Sequence, residues 1–147
     1  MKFTIKRSLF LENLNNVMRA ISSRTTIPIL NGIKLDLTSS QLEMTGSDTD
    51  ISILSKIPAS DDFKIMTPGA IVLPARFFSE IIKKLPGEEF TLEVTDNFQT
   101  VIKAEKSEFV VNGFDANNYP RLPEIAGEKS FQIEGQALRE IINQTTF

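Results

Sequence analysis

The stretch IVLPARFFSEIIKKL, residues 71–85, decides the fold class, because its pattern occurs three times in the chain. It opens with an alternating apolar pair, Ile71 and Leu73, which indicates a strand, and continues with apolar residues at helical spacing. The same pattern begins at Phe3 (FTIKRSLFLENLNNV) and at Phe131 (FQIEGQALREIINQT). Three copies of one strand-and-helix pattern indicate an internal repeat.

Short alternating runs follow each of the first two helical stretches, and turn residues such as Asp96-Asn97 separate them. Each unit therefore predicts a strand, a helix and three further strands in an antiparallel meander. Ser8 is expected to cap the first helix and Pro86-Gly87 to end the second. For residues 1–124 this pattern predicts an α+β domain with the fold of two β-α-β-β-β units, in which antiparallel sheet carries two helices on one face.

Residues 125–147 are predicted as a linker followed by the opening strand and helix of a second domain. The stretch DANNYPRLPEIAG, residues 115–127, carries two prolines and two asparagines and is typical of a connecting segment. No strands follow the third helical pattern to cover its apolar side. We therefore expect further repeats in a longer chain; a terminal helix that packs back on the domain is the alternative.

The composition argues against an enzyme. The chain has no cysteine, histidine or tryptophan, which removes thiol nucleophiles, histidine bases and Cys/His zinc sites. Asp48 and Asp50 superficially suggest a metal loop, but the further oxygen ligands and the closing glutamate are missing, so we interpret them as a polar turn. We expect no catalytic residue, no metal and no cofactor.

Basic residues lie on or beside the polar sides of the first two predicted helices, although the net charge is −3. Such a set predicts a basic surface that holds phosphates without reading bases. Glu12 and Glu80 on the same helices weaken this interpretation, and for each cation taken alone a solvated surface charge is the better interpretation. The cations are Arg19, Arg24, Arg76, Lys83 and Lys84.

The last predicted strand of the second unit carries Phe109 and Val111 in alternation. Core packing is the simpler interpretation of these two residues. An edge strand with apolar residues also favours pairing with another chain.

The chain resembles the bacterial β sliding clamp family, the β subunit of DNA polymerase III, over its whole length. The resemblance is carried by the order and spacing of five motifs: MKFTIKR from Met1, SSRTTIPILNGI from Ser22, GSDTDISI from Gly46, VLPARFFSEIIKKLP from Val72 and KSEFVVNGFDANNYPRLPEI from Lys106. It implies a protomer of three similar domains. Two such protomers would close into a ring around duplex DNA. Helices would line the hole and sheets the outer wall, and the ring would be a non-catalytic processivity factor for the replicative polymerase.

The resemblance also implies site residues and partners. Family contacts to DNA map onto Arg24 and Arg76, with Arg19 and Lys83 beside them on the helical side, and the homodimer interface maps onto Phe109 and Val111 with Phe77. The polymerase III alpha subunit and the clamp loader would bind through domains outside this chain, in the cytoplasm at the nucleoid. The alternatives are a stand-alone protein-interaction or scaffold domain without a DNA role and, more remotely, a small carboxylate-based hydrolase.

Overall fold

A computed structural model describes residues 1–22, 25–121 and 131–146. The predicted order of a strand, a helix and a meander is found twice, with one additional strand, β5, at the end of the first unit. The first unit comprises β1 (Lys2–Lys6), α1 (Arg7–Met18), β2 (Gly32–Leu37), β3 (Gln41–Ser47), β4 (Ser52–Pro58) and β5 (Phe63–Thr67). The second comprises β6 (Gly69–Pro74), α2 (Ala75–Lys84), β7 (Glu89–Val94), β8 (Gln99–Ala104) and β9 (Ser107–Asn112), and α3 (Gly135–Thr145) follows.

The antiparallel strands form two sheets that exchange their opening strands. The orders are β5-β1-β7-β8-β9 and β4-β3-β2-β6. Strand β1 of the first unit pairs with β7 of the second, Phe3 opposite Leu92, and β6 of the second unit pairs with β2 of the first, Leu73 opposite Ile33. Neither unit completes its own sheet, so the two units must fold together.

Both helices and the inner faces of both sheets share one core. Helix α1 packs on β3 and β4, α2 packs on β2 and β6, and the two helices contact each other. Phe10 of α1 lies at the centre, with ring centroids 5.8 Å from Phe78 of α2 and 5.1 Å from Phe90 of β7, both edge to face. This aromatic contact fixes both helices on the same side of the five-stranded sheet.

The start of α1 differs from the prediction. The helix begins at Arg7 from an N-cap at Lys6 that has no side-chain hydrogen bond, so Ser8 lies in the first turn and is not the cap. Because β1 runs straight into the helix, the backbone N–H groups there are used by neighbouring chain segments: Lys6 donates to the Asp62 carbonyl and Arg7 to the Glu88 carbonyl. The predicted end of α2 is confirmed, since the helix stops at Lys84.

The helix of the third copy is confirmed, but its opening strand is not. Residues 131–134 belong to no strand, because no described strand lies beside them to supply ladder hydrogen bonds. Helix α3 buries none of its residues, and its apolar side chains Leu138, Ile141 and Ile142 are about half exposed.

A small second cluster fastens the segment after β9 to the four-stranded sheet. The cluster consists of Leu30, Val72, Ala116 and Tyr119, and Phe114 exchanges two backbone hydrogen bonds of 3.1 and 2.8 Å with Val72. The Tyr119 side chain is buried, and its hydroxyl approaches the Ser47 backbone. Burial raises the pKa of Tyr119 to about 12.

Because the folded-state pKa of Tyr119 lies above its ordinary value of 10.0, the unfolded chain releases the phenol proton first as the pH rises. The free energy of unfolding is therefore expected to fall between pH 10 and pH 12, and Tyr119→Phe should remove that part of the fall. Chemical denaturation of the wild-type and Tyr119→Phe proteins across this range measures the difference in their free energies of unfolding. The contribution of lysine titration is common to both proteins and cancels. Tyr119 is the only tyrosine, so phenolate absorbance follows it directly; ionisation at the ordinary pKa would contradict the prediction.

Candidate nucleic-acid interface and edge strand

Helix α2 presents a charged side to solvent because its other side is committed to the core. Its buried residues are Ala75, Phe78, Ser79, Ile81 and Ile82. The remaining positions of the helix are exposed and are mostly basic: Arg76, Phe77, Glu80, Lys83 and Lys84. The predicted cations of this helix therefore lie together on its solvent side.

Helix α1 offers a more neutral surface. Its exposed positions are Ser8, Glu12, Asn15 and Asn16, and Arg19 follows at the C-cap. Arg19 is exposed, as predicted, whereas the exposed positions within this helix carry no cation. The exposed positions of both helices, together with the C-cap of α1, carry four cations and two carboxylates. The net charge of the helical side is therefore positive.

The cations on this side differ in whether they are paired. The ammonium groups of Lys83 and Lys84 lie 3.3 and 3.8 Å from the Glu80 carboxylate. Arg19 and Arg76 form no ion pair with any residue in the described ranges. Exposed ion pairs are weak and readily exchanged, so the two arginines are the cations most available to an anion.

A shallow depression of about 310 Å³ joins the start of α2 to the segment that follows α1. It is lined by Ile21, Asn31, Pro74, Ala75, Arg76 and Phe77. Arg76 thus lies beside residues of the segment that carries Arg24. Arg24 itself lies outside the described residues.

Three lysines of the sheets are neutralised on the faces opposite the core. Each lies in register opposite a glutamate of the neighbouring strand, with nitrogen–oxygen distances of 2.8 to 3.1 Å. The pairs are Lys2–Glu93, Glu43–Lys56 and Lys103–Glu108. These three sheet lysines are therefore paired, whereas Arg19 and Arg76 on the helical side have no ion-pair partner among the described residues.

Strand β9 is the outermost strand of the five-stranded sheet, and its three consecutive apolar residues differ in exposure. Val111 is 2% exposed and belongs to the core, so its side chain cannot contact another chain. Phe109 is 37% exposed and Val110 52% exposed, and Phe77 of α2 is also largely exposed. The sequence analysis missed Val110, although three consecutive apolar residues in a strand indicate that both of its faces carry apolar side chains.

Asp48 organises a turn between β3 and β4. Its carboxylate accepts the backbone N–H groups of Asp50 and Ile51, both at 2.7 Å. The hydrogen bond from Ile51, followed by that from Asp50, lowers the pKa of Asp48. These contacts agree with the interpretation of the two aspartates as a polar turn.

The first 123 residues match the family model described as "DNA polymerase III beta subunit, N-terminal domain". The chain belongs to this family. Over the whole chain it is 48% identical to the beta sliding clamp of Bacillus subtilis and 46% identical to that of Staphylococcus epidermidis. It spans 40% of the length of each of these curated relatives.

Solved β subunits have the same fold. The sliding clamp of Bacillus subtilis superposes with a TM-score of 0.93 at 47% identity, over 98% of this chain and 39% of that one. The β chain of Streptococcus pneumoniae gives a TM-score of 0.94 at 35% identity, with the same coverage of both chains. The predicted fold class and the family resemblance are thus confirmed. In the part of the chain that the structure describes, no helix is long and apolar enough to span a membrane.

Proposed function

We propose that the chain forms the first domain of a sliding clamp, which encircles duplex DNA as a ring-shaped homodimer and tethers the replicative polymerase. The observation that carries the proposal is the identity of 46–48% over the whole chain to proteins named beta sliding clamp. The unpaired arginines of the helical side supply the chemistry that such a role needs. A stand-alone interaction domain would leave this charge arrangement without a purpose.

The proposed DNA contacts are Arg76, Arg19 and Lys83 of the helical side together with Arg24. Exposed guanidinium and ammonium groups suit phosphate oxygens and carry no information about base sequence. In a closed ring the duplex is retained by topology, so each contact can be weak and strongly salt-dependent. We therefore infer non-sequence-specific binding of double-stranded DNA.

The proposed homodimer interface is the outer edge of β9 with Phe109 and, from α2, Phe77. We add Val110 to this interface, because its side chain is exposed on the same strand. Unpaired backbone groups at a sheet edge can continue a ladder in a second copy. The role predicted for the Val111 side chain is not part of this proposal.

We assign residues 1–124 to the first clamp domain and 125–147 to the linker and the beginning of the second. The half-exposed apolar side chains of α3 are the surface that the remainder of a second domain would cover. The polymerase III alpha subunit and the clamp loader would bind through later domains. The assembly would act in the cytoplasm, at the nucleoid, without a cofactor and without catalysing a reaction itself.

The test of this function uses the full-length protein loaded by its clamp loader onto a nicked circular plasmid. After the plasmid is cut, a ring held by topology should slide off the ends, at a salt concentration that leaves the uncut circle occupied. The measurement is the amount of protein that stays bound to the uncut circle compared with the amount bound to the cut, linear plasmid. Equal retention on both forms would mean ordinary surface binding and would contradict the proposal.

Replacing Arg24 and Arg76 together by alanine should reduce loading and retention on the circle, because two phosphate contacts are lost. Arg76 is exposed, so its substitution should change the free energy of unfolding by only about 0.5 kcal/mol or less. The matched control is Lys56→Ala with Lys103→Ala, which removes two positive charges from the sheet side. Equal losses in both double variants would show that net charge, and not position, governs retention.

Phe109→Asp in the full-length protein should open the ring, because a charge would be buried against the second copy. Sedimentation should then show a monomer that remains folded, since Phe109 is partly exposed within the domain. Val111→Ala is the control, since it should cost about 2 kcal/mol of stability through the core and leave the dimer intact. A dimeric Phe109→Asp protein would remove this strand from the interface.

A further inference from the structure

Arg7, at the start of α1, holds the end of α2. Helix α2 stops at Lys84 and the chain leaves it in an extended conformation at Leu85, so the last carbonyl groups of the helix need other donors. Arg7 Nη1 donates to the Lys83 carbonyl at 3.3 Å and Nε donates to the Gly87 carbonyl at 3.2 Å. The Arg7 backbone N–H donates to the Glu88 carbonyl at 2.7 Å. A single residue thus spans the last turn of α2 and the turn that follows it.

The repeat shows that this arginine is specific to the first unit. Aligned by the repeat, the position of Arg7 is occupied in the second unit by Ala75, which is fully buried. Helix α1 has 12 residues and α2 has 10, so α2 is the shorter helix and ends earlier relative to the repeat. Arg7 thus lies in the first unit and holds the shorter helix of the second. The last carbonyl groups of α1 accept instead from the backbone N–H groups of the residues that follow it, Arg19, Ala20 and Ile21.

The helix end that Arg7 holds is also the basic one. Lys83 and Lys84 occupy positions where α1 has Asn15 and Asn16. Two neighbouring lysines repel each other, and the Glu80 carboxylate is shared between them at 3.3 and 3.8 Å. A cation that donates to the last carbonyls of a helix is stabilised by the helix dipole, so Arg7 can hold this turn in spite of the lysines beside it.

We propose that Arg7 is a positioning residue for DNA binding, which fixes the last turn of α2 so that Lys83 and Lys84 point together toward the phosphates. The inference rests on the proposed function. Nε and Nη1 of Arg7 are engaged by carbonyl oxygens, which holds the guanidinium against the end of α2. Its effect on DNA is then transmitted through the two lysines. A lysine in its place has one nitrogen and cannot form the same fork.

The test measures binding of the full-length protein to a short linear duplex by fluorescence anisotropy over a salt titration. Arg7→Met should lower the magnitude of the slope of log affinity against log salt by about 1 for each of the two lysines whose phosphate contact is lost. Arg7→Lys, which keeps the charge and loses the fork, should show the same loss. In a Lys83→Ala, Lys84→Ala background, Arg7→Met should produce no further change of slope, because the groups that it positions are gone.

Three results would overturn the proposal. An unchanged slope with only a lowered melting temperature would mean that Arg7 is merely structural, and an Arg7→Lys protein that behaves as wild type would mean that only its charge matters. Additive losses in the lysine-free background would mean that Arg7 contacts DNA itself. Retention of the wild-type protein on cut plasmid reports separately on the proposed function. Arg7→Lys keeps the test informative where Arg7→Met fails to fold.

Discussion

The exchange of opening strands between the two sheets is the constraint on which the rest of the domain depends. Strand β1 lies between β5 and β7, and β6 completes the sheet that β2 begins. Because β1 and β6 lead directly into α1 and α2, the exchange fixes where both helices start. Phe10 can then reach Phe90 of the other unit. A helix with one side in a shared core must turn its other side to solvent, and the basic residues of α2 lie on that side.

The electrostatic difference between the two sides is a consequence of secondary-structure geometry. Cross-strand neighbours in an antiparallel sheet are close enough for a lysine to meet a glutamate directly opposite, as Lys103 meets Glu108. On a helix, partners must be three or four positions apart. Arg76 has Glu80 at the right spacing, but Glu80 is bound to Lys83 and Lys84. The helical side therefore keeps positive charge that the sheets have neutralised.

Much of the fold could be predicted because the repeat and the helical spacing are local. The helix over residues 75–84 and its end before Pro86-Gly87 follow from such patterns. The strand exchange and the Arg7–Gly87 hydrogen bond join residues far apart in the chain, and no local pattern encodes them. Ser8 was wrongly expected to be a cap because the sheet satisfies the backbone there. For Val111 the sequence left core packing and an interface role open, because alternation identifies a face of a strand but not which of its residues the core covers.

The position of Arg76 argues for an anionic ligand independently of family likeness. It lies in the first turn of α2, where the helix dipole disfavours a cation and an acidic residue would contribute about 0.3–1 kcal/mol of stability. Neither α1 nor α2 has an acidic residue in its first turn. Arg76 is exposed and forms no ion pair with a described residue, so nothing in that part of the domain offsets the unfavourable placement. A phosphate brought to this turn would meet the guanidinium and the first backbone N–H groups of the helix together. An arginine in the first turn of a helix is therefore better placed to hold a phosphate than to stabilise the helix itself.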